Sequence, residues 1–331
     1  MIRVVKPGLL TTIQDEGRAG YRAFGMPLAG ALDRDAYAVA NLLAGNAPGA
    51  AAIEMTLLGG TFRFEQDTFL AITGADMQAA LDGAPAAPWS SFTARAGSVL
   101  AFSGARAGCR CYLSVYGGVG VPLVLGSRST YTRARVGGFE GRALAAGDGL
   151  PVAEPPPGRA PGLARGDERM RRLPEYLTPR YGREVRIRVV LGPQDDRFLP
   201  EGVAAFLGGA YTVSNRNDRM GYQLDGPIIR HQRGADIVSD GIVPGSVQVP
   251  GSGRPIVMMA DCATVGGYTK IATAISADLP LLAQAKTGDI VHFEQCTIEA
   301  AVDALRRRRA WLATIIGAGG TRTLDDGGDQ P

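Results

Sequence analysis

Short apolar segments, each cut off by turn-forming residues after four or five positions, constrain this chain more than any other feature of it. Thr61–Phe64, Phe69–Thr73, Val99–Ser103 and Tyr112–Tyr116 are typical, and turn signals recur every ten or so residues. Side chains alternate between the two faces of a strand, whereas a helix needs apolar residues three and four apart. Forty-six glycines supply positions where the backbone can reverse. The pattern predicts a mainly β fold, a sandwich or barrel made of two β-rich halves with few accessory helices.

Helical periodicity is confined to two stretches. In Asp33–Leu43, Asp33 can cap a helix that presents Ala36, Tyr37, Val39, Ala40 and Leu43 on one face, and a second helix is predicted near Glu299–Ile316. Between Pro151 and Arg183 the composition turns to Pro, Gly and Arg, including Pro155-Pro156-Pro157, which predicts a linker or surface crossing over 151–184. Residues 1–150 are then an N-terminal β-rich half. Residues 185–316 form a C-terminal one, opening on Val185–Leu191, where Arg186 and Arg188 alternate with apolar neighbours. From Gly317 apolar anchors cease, and 317–331 is predicted to be a disordered tail.

At 331 residues, 45% of them hydrophobic, the chain has material for one large or two medium cores. No apolar run is long enough to cross a bilayer and no basic-then-apolar leader opens the chain, so a cytoplasmic protein is predicted. A net charge of only +3, spread among acids, argues against a nucleic-acid partner. The spacing of Cys109, Cys111, Cys262 and Cys296 fits neither a zinc module nor a dense disulfide framework, which predicts reduced, structural thiols. With only His231 and His292 available, no metal site is predicted.

Four segments are rich in groups that can carry chemistry. Gly126-Ser127-Arg128-Ser129-Thr130, followed by Gly137-Gly138-Phe139-Glu140-Gly141-Arg142, puts hydroxyls and guanidiniums on glycine-permitted backbone. Such a stretch suits an oxyanion; an ordinary glycine-rich turn is the other reading. Gln14, Asp15 and Arg18 share a polar turn, where they either converge on a ligand or hold the turn itself. Ser214–Tyr222 gathers Arg216, Arg219 and Tyr222 around Gly221, with Asp218 able to orient an arginine, and Gln248 lies in a later pair of turns. Finally, Asp261-Cys262-Ala263-Thr264-Val265-Gly266-Gly267-Tyr268-Thr269-Lys270 follows the apolar run Pro255–Ala260, at a strand end where sites gather. Its glycines lack the phosphate-loop spacing, and Cys262 has no histidine nearby in sequence, so an inert thiol is predicted.

Taken in order, PGLLTTIQDEGRAGY, GSRSTY with GGFEGR, DRMGY and DCATVGGYTKIAT resemble the allophanate hydrolase subunit 2 family, also called the biotin-dependent carboxyltransferase or KipA family. The likeness runs from about Val4 to Ala300. It implies a cyclophilin-like β-barrel architecture and two companion proteins: a B-type companion (allophanate hydrolase subunit 1 or KipI) and an A-type companion (LamB/YcsF). Within the family, the resemblance implies the C component of a 5-oxoprolinase, which opens 5-oxo-L-proline to L-glutamate with ATP as co-substrate, bound mainly by the companions.

On that reading Arg128, Arg142 and Arg219 stabilise negative charge, while Ser127, Ser129 and Thr130 position substrate or phosphate. Asp261, Thr264, Tyr268 and Lys270 form the opposing wall, with Gly266 and Gly267 between them. Arg128, Arg142, Asp261 and Lys270 are the implied catalytic groups. Gln14, Arg18, Tyr222 and Gln248 join the implied binding residues. Ala263, Val265 and Thr269 depart from the family pattern, which bears on substrate choice. The resemblance also covers a carboxyltransferase that takes carboxybiotin to a urea or amide nitrogen, with biotin on a separate carrier. A non-enzymatic KipA-like regulator binding a kinase inhibitor is a third possibility.

Overall fold

The computed structural model describes residues 1–155 and 172–318. In the first half the alternating segments become two antiparallel sheets. One has six strands in the order Gly149–Leu150, Ile2–Lys6, Thr61–Phe64, Val99–Ala101, Ala80–Leu81, Ala84–Pro85. The other has five, in the order Leu10–Gln14, Ala52–Thr56, Ala107–Val115, Thr68–Asp76, Ser90–Ala94. Their facing sides share one core that includes Val4, Phe62 and Leu100 from the first sheet and Ile53, Ile72 and Leu113 from the second.

The second half is a closed seven-stranded barrel. Its strands run Glu184–Leu191, Lys270–Ala274, Ser246–Gln248, Ile256–Met258, Gly221–Asp225, Tyr211–Val213 and Ile290–Gln295. Parallel pairing of the last strand with the first, Ile187 against Phe293, closes the ring and removes both sheet edges. Inside, Phe206 stacks on Phe293 with ring centroids 4.5 Å apart, and Tyr211 packs against both. The mainly β, barrel-containing architecture expected from the alternating pattern is therefore what the chain adopts.

Among the described residues four α-helices decorate this frame: α1 (Arg34–Ala44), α2 (Pro200–Gly208), α3 (Leu279–Ala283) and α4 (Ile298–Ala318). Periodicity anticipated α1 and α4, whereas α2 and α3 are too short to stand out of an apolar background. Asp33 caps α1 by accepting from the Asp35 and Ala36 amides at 3.1 and 2.9 Å. The apolar face of α1 rests on the outer side of the five-stranded sheet, with Trp311, Leu312 and Ile315 of α4 in the same cluster. Arg308 of α4 also pairs with Asp35. Helix α4 continues through Gly317 to Ala318, beyond the start of the predicted tail, and residues 319–331 lie outside the described part.

Of the predicted crossing 151–184, residues 156–171 lie outside the described part as well. The segment from 172 onward is docked rather than free: Leu173 is buried, Tyr181 donates to Asp33 Oδ2 (3.2 Å), and Trp311 donates to Leu177 O (3.3 Å).

Beyond the apolar patch that α1 covers, the outer face of the five-stranded sheet turns polar where the two halves meet. Ile53, Met55, Cys111 and Leu113 point into the sandwich, so alternation sends Glu54, Arg110 and Tyr112 toward the barrel. Tyr112 donates to Glu54 Oε2 (2.7 Å), Gln284 receives the amides of Cys109 and Arg110 (2.8 and 2.9 Å), and its own amide donates to Asp33 Oδ2 (2.7 Å). Burial of polar groups on this scale is stable only when each is matched, and here the matching crosses from one half to the other.

Burial, reinforced by Asp35, raises the Asp33 carboxyl to about 6. An unfolded aspartate loses its proton near pH 4, so the folded protein holds the extra proton between about pH 4 and pH 6 and loses stability as pH rises through that window. The total is roughly 3 kcal/mol. Asp33→Asn retains a capping oxygen, and should flatten this part of the stability–pH curve measured by urea unfolding.

Candidate functional site

Strand Leu10–Gln14 delivers the chain into a turn organised by one carboxylate. Asp15 Oδ1 accepts from the Gly17 amide (2.8 Å), Ser127 Oγ (2.6 Å) and Ser129 Oγ (2.5 Å), while Oδ2 accepts from the Arg128 amide (2.5 Å). The loop Gly126–Thr130 is thus wrapped around Asp15. Ser127 and Ser129 are fully buried and their hydroxyls are committed to it. Thr130 donates to Ile13 O at 3.0 Å. Asp15, read from sequence as holding the turn, is the hub of the whole cluster.

Arg18 enters this cluster from the same turn and is completely buried. Its Nη2 donates to Ser129 O, its Nε donates to Val124 O (3.2 Å), and its Nη1 has no partner among the described residues. Burial pulls the Arg18 pKa down while Asp15 and Asp261 pull it up. Gln14, equally buried, leaves its Oε1 without a partner among the described residues. Arg128 is half-buried: its Nε donates to Val121 O (2.9 Å), and its two terminal nitrogens make no hydrogen bond to any described residue.

Two glycines close over these groups. A Cβ on Gly137 would collide with Arg18 Nη2 and Ser129 O, and one on Gly138 would collide with Thr130 Oγ1; both have positive φ. Gly138 also donates its amide to Arg128 O (3.0 Å). A cleft of about 420 Å³, lined by Val121, Val124, Phe139 and the Gly137–Gly138 step, runs alongside. Only glycine lets backbone come this near the guanidinium.

Next to this cluster lies a second one, centred on the ion pairs of Arg219. Arg219 grips Asp261 through both Nε and Nη2 (each 3.0 Å) and donates through Nη1 to Glu54 Oε1 (2.5 Å). Burial opposes the Arg219 charge, but Asp261 and Glu54 outweigh it and hold its pKa above the ordinary arginine range. Arg110 stands 4.0 Å from Glu54 and donates to Tyr222 Oη (2.6 Å). The segment Leu28–Ala31 ties the clusters together: Arg18 N donates to Leu28 O (2.6 Å), Ala29 N to Ala260 O (3.0 Å), Ala31 N to Asp15 O (2.9 Å), and Arg219 Nη2 to Gly30 O (2.6 Å).

The structure therefore brings Gln14, Arg18, Ser127, Arg128, Ser129 and Thr130 into one cluster and sets Arg219 and Asp261 beside it. Other expected residues stand elsewhere. Arg142 forms a bidentate pair with Asp148 (2.8 and 2.9 Å), also binds Glu140 (2.7 Å), and lies over the Phe139 ring. Lys270 is buried against Asp240 (2.7 Å) and Gly241 O (3.2 Å). Tyr222 sits inside the barrel on Arg110 and the carbonyls of Ala283 and Ala285.

Val265–Tyr268 pairs with Asp236–Gly241 as a separate two-stranded ribbon that carries Gly266, Gly267 and the exposed Tyr268, with Thr264 at its base. Beneath Gly266 lies buried Gln248, whose Nε2 has no partner among the described residues. Sequence reasoning missed Glu54, Arg110 and Arg22. Glu54 does carry a signal, a charge within the apolar strand Ala52–Thr56. Arg22 donates to Ile242 O and touches the Cys262 thiol, which burial pushes above its ordinary pKa and so away from nucleophilic use.

Known proteins show the same arrangement of chain. The family model for the carboxyltransferase domain, subdomain A and B, matches residues 24–295. The chain is 40% identical over 317 residues to the C subunit of Escherichia coli 5-oxoprolinase, covering 95% of this chain and 97% of that protein. It is 32% identical to the urea amidolyase of Saccharomyces cerevisiae, over 90% of this chain but 17% of that much longer protein. The crystal structure of Kluyveromyces lactis urea carboxylase superposes with a TM-score of 0.88 at 28% identity, across 98% of this chain and 30% of that one.

Replacing Asp15 by Ala should strand two buried hydroxyls and two backbone N–H groups, those of Gly17 and Arg128, at a cost of about 3–5 kcal/mol in urea unfolding. Asp15→Asn should cost less, because Oδ1 still accepts from Ser127 and Ser129.

Proposed function

The chain belongs to the family of carboxyltransferase domains built from subdomains A and B, and on that premise we propose that it is the C component of an ATP-dependent 5-oxoprolinase. The reading rests on one observation: a wholly buried guanidinium, Arg18, has an Nη1 without a hydrogen-bond partner among the described residues, in the same cluster as the half-exposed Arg128, while the nearby carboxylates Asp15 and Asp261 are already engaged by other donors. Such a place favours a ligand oxygen that is, or becomes, negative.

A lactam carbonyl is a poor electrophile. Phosphoryl transfer from ATP to its oxygen makes the ring carbon open to water, and C–N cleavage then requires a proton on the leaving nitrogen. Charge accumulates on the former carbonyl oxygen throughout, and Arg18 and Arg128 are the groups in this chain suited to meet it. Arg219 acts from behind by holding Gly30 and Asp261 in place. Arg142 and Lys270 take no part in the chemistry on this reading, since carboxylates of their own already neutralise them. ATP is handled mainly by the A-type and B-type companions. Among the described residues no helix is long and apolar enough to cross a membrane, and the complex is proposed to work in the cytoplasm.

A second reading, carboxyl transfer from a carboxybiotin carried on another protein, is favoured by the superposition over nearly the whole chain on a urea carboxylase. The same two arginines would then face a carboxylate in transit.

Co-expressed with its companions, this chain should support ATP-dependent release of glutamate from 5-oxoproline. Arg128→Ala should lower that turnover by at least ~100-fold with the fold intact, as loss of a charge-stabilising donor does; undiminished activity refutes the assignment. Cys262→Ser should keep wild-type turnover. Carboxylation of urea by the complex with a biotin carrier, without glutamate release, would favour the second reading.

A further inference from the structure

A second cleft, of about 550 Å³, opens where the sandwich, the barrel and α4 come together. Its walls are apolar: Leu28 and Leu32 come from the segment leading into α1, Met259 and Ile275 from the barrel half, and Val302 and Leu305 from α4. The volume lies inside the range of roughly 300–1,000 Å³ usual for small-molecule sites. On α4, Ile298 and Val302 are 65% and 41% exposed although both line the cleft, so apolar surface is left in water there.

Charge along this cleft has one sign. No acid lines it; Thr273 and Ser276 supply hydroxyls, and the two charged lining residues, Arg34 and Arg308, are both cationic. Arg308 is already neutralised by Asp35. Arg34, exposed at the first position of α1, makes no hydrogen bond or ion pair to any described residue, and Glu16 attracts it only from a distance. Desolvation and the charge of Arg308 push the Arg34 pKa down. One guanidinium without a counter-ion beside an apolar trough suits a single anionic group on an apolar body, and the planar fork of arginine matches a carboxylate.

We propose that this cleft binds an amphipathic monocarboxylate, its carboxylate on Arg34 and its hydrocarbon chain along the apolar walls. The bound ligand touches the segment that ties the two polar clusters together. Leu28 and Ala31 line the cleft, and their backbones are bonded to Arg18 N and Asp15 O. Ala260, which accepts from the Ala29 amide (3.0 Å), lines it as well. Occupancy therefore slows the opening of these backbone bonds, whatever reaction the chain serves.

The test measures binding to the full chain by calorimetry, with decanoate, octanoate and uncharged decanol as probes below their micellar concentrations. Decanoate should bind as a single molecule per chain and at least ~10-fold more tightly than decanol, the contrast a charge-assisted bond gives. Octanoate, shorter by a pair of methylenes, should bind about tenfold more weakly than decanoate. Arg34→Gln should bring decanoate to within about threefold of decanol and leave decanol unchanged. Removing a positive charge from the first turn of α1 favours the helix, so thermal melting should be kept. Ala301→Phe, which fills the cleft from α4, should remove binding of both. Hydrogen exchange at the Ala29 and Ala31 amides should slow when decanoate is added to the wild type, and not in Ala301→Phe.

Absence of decanoate binding overturns the proposal, as does binding that survives both substitutions, which marks non-specific adsorption. Equal affinity for decanoate and decanol in the wild type leaves an apolar groove without a carboxylate site and overturns it too. So does protection that falls outside Leu28–Arg34 and α4, because the ligand then sits elsewhere. Exclusion of decanoate by the companion proteins, or by a second copy as the chain is concentrated, gives the cleft to a protein surface instead. Retention of binding in the assembled complex, together with the contrast at Arg34, supports the small-molecule site.

Discussion

Arg219 is held by two carboxylates from opposite sides of the molecule, and much of the structure depends on that grip. Glu54 comes from a strand of the sandwich and Asp261 from the loop that leaves the barrel strand Ile256–Met258. Neither acid is stable where it lies without the guanidinium, and a buried guanidinium without both would be costlier still. Arg110, Tyr112 and Gln284 extend the same logic along the seam. The sandwich and barrel are accordingly placed by charge pairing and hydrogen bonds as much as by apolar contact. This arrangement tolerates little sliding, because each bond is directional.

Much of the architecture is legible from residue order. Alternation identified the strands of both halves because each strand has to bury one face, and Asp33 announced α1 because helix caps have local chemistry. Short elements such as α3 are set by tertiary packing and leave no local trace. At the site, the loops Gln14–Arg18 and Gly126–Thr130 were legible as one type of chemistry, but not as one place. Their meeting depends on Asp15 accepting from residues more than a hundred positions away.

Arg142 and Lys270 show the limit from the other side. Residue type marks both as possible anion binders, yet a carboxylate six residues on from Arg142 and another on the ribbon beside Lys270 absorb their charge. Glu54 was overlooked for the converse reason. A glutamate within an apolar strand is the kind of local inconsistency that only a long-range partner resolves.

One peptide group joins the two clusters. The carbonyl of Gly30 accepts from Arg219 and the amide of Ala31 donates to Asp15 O, and these atoms belong to a single rigid plane. Ala29 and Gly30 both hold positive φ to keep that plane where it is. Rotating it would break both bonds in one motion, so the Asp15 turn and the seam between the halves cannot loosen separately. The plane also aligns the pull of the guanidinium at one end with the donor at the other, so that each bond polarises its neighbour. A disturbance of the seam that shifts Arg219 therefore also alters the grip of this peptide on the Asp15 backbone carbonyl.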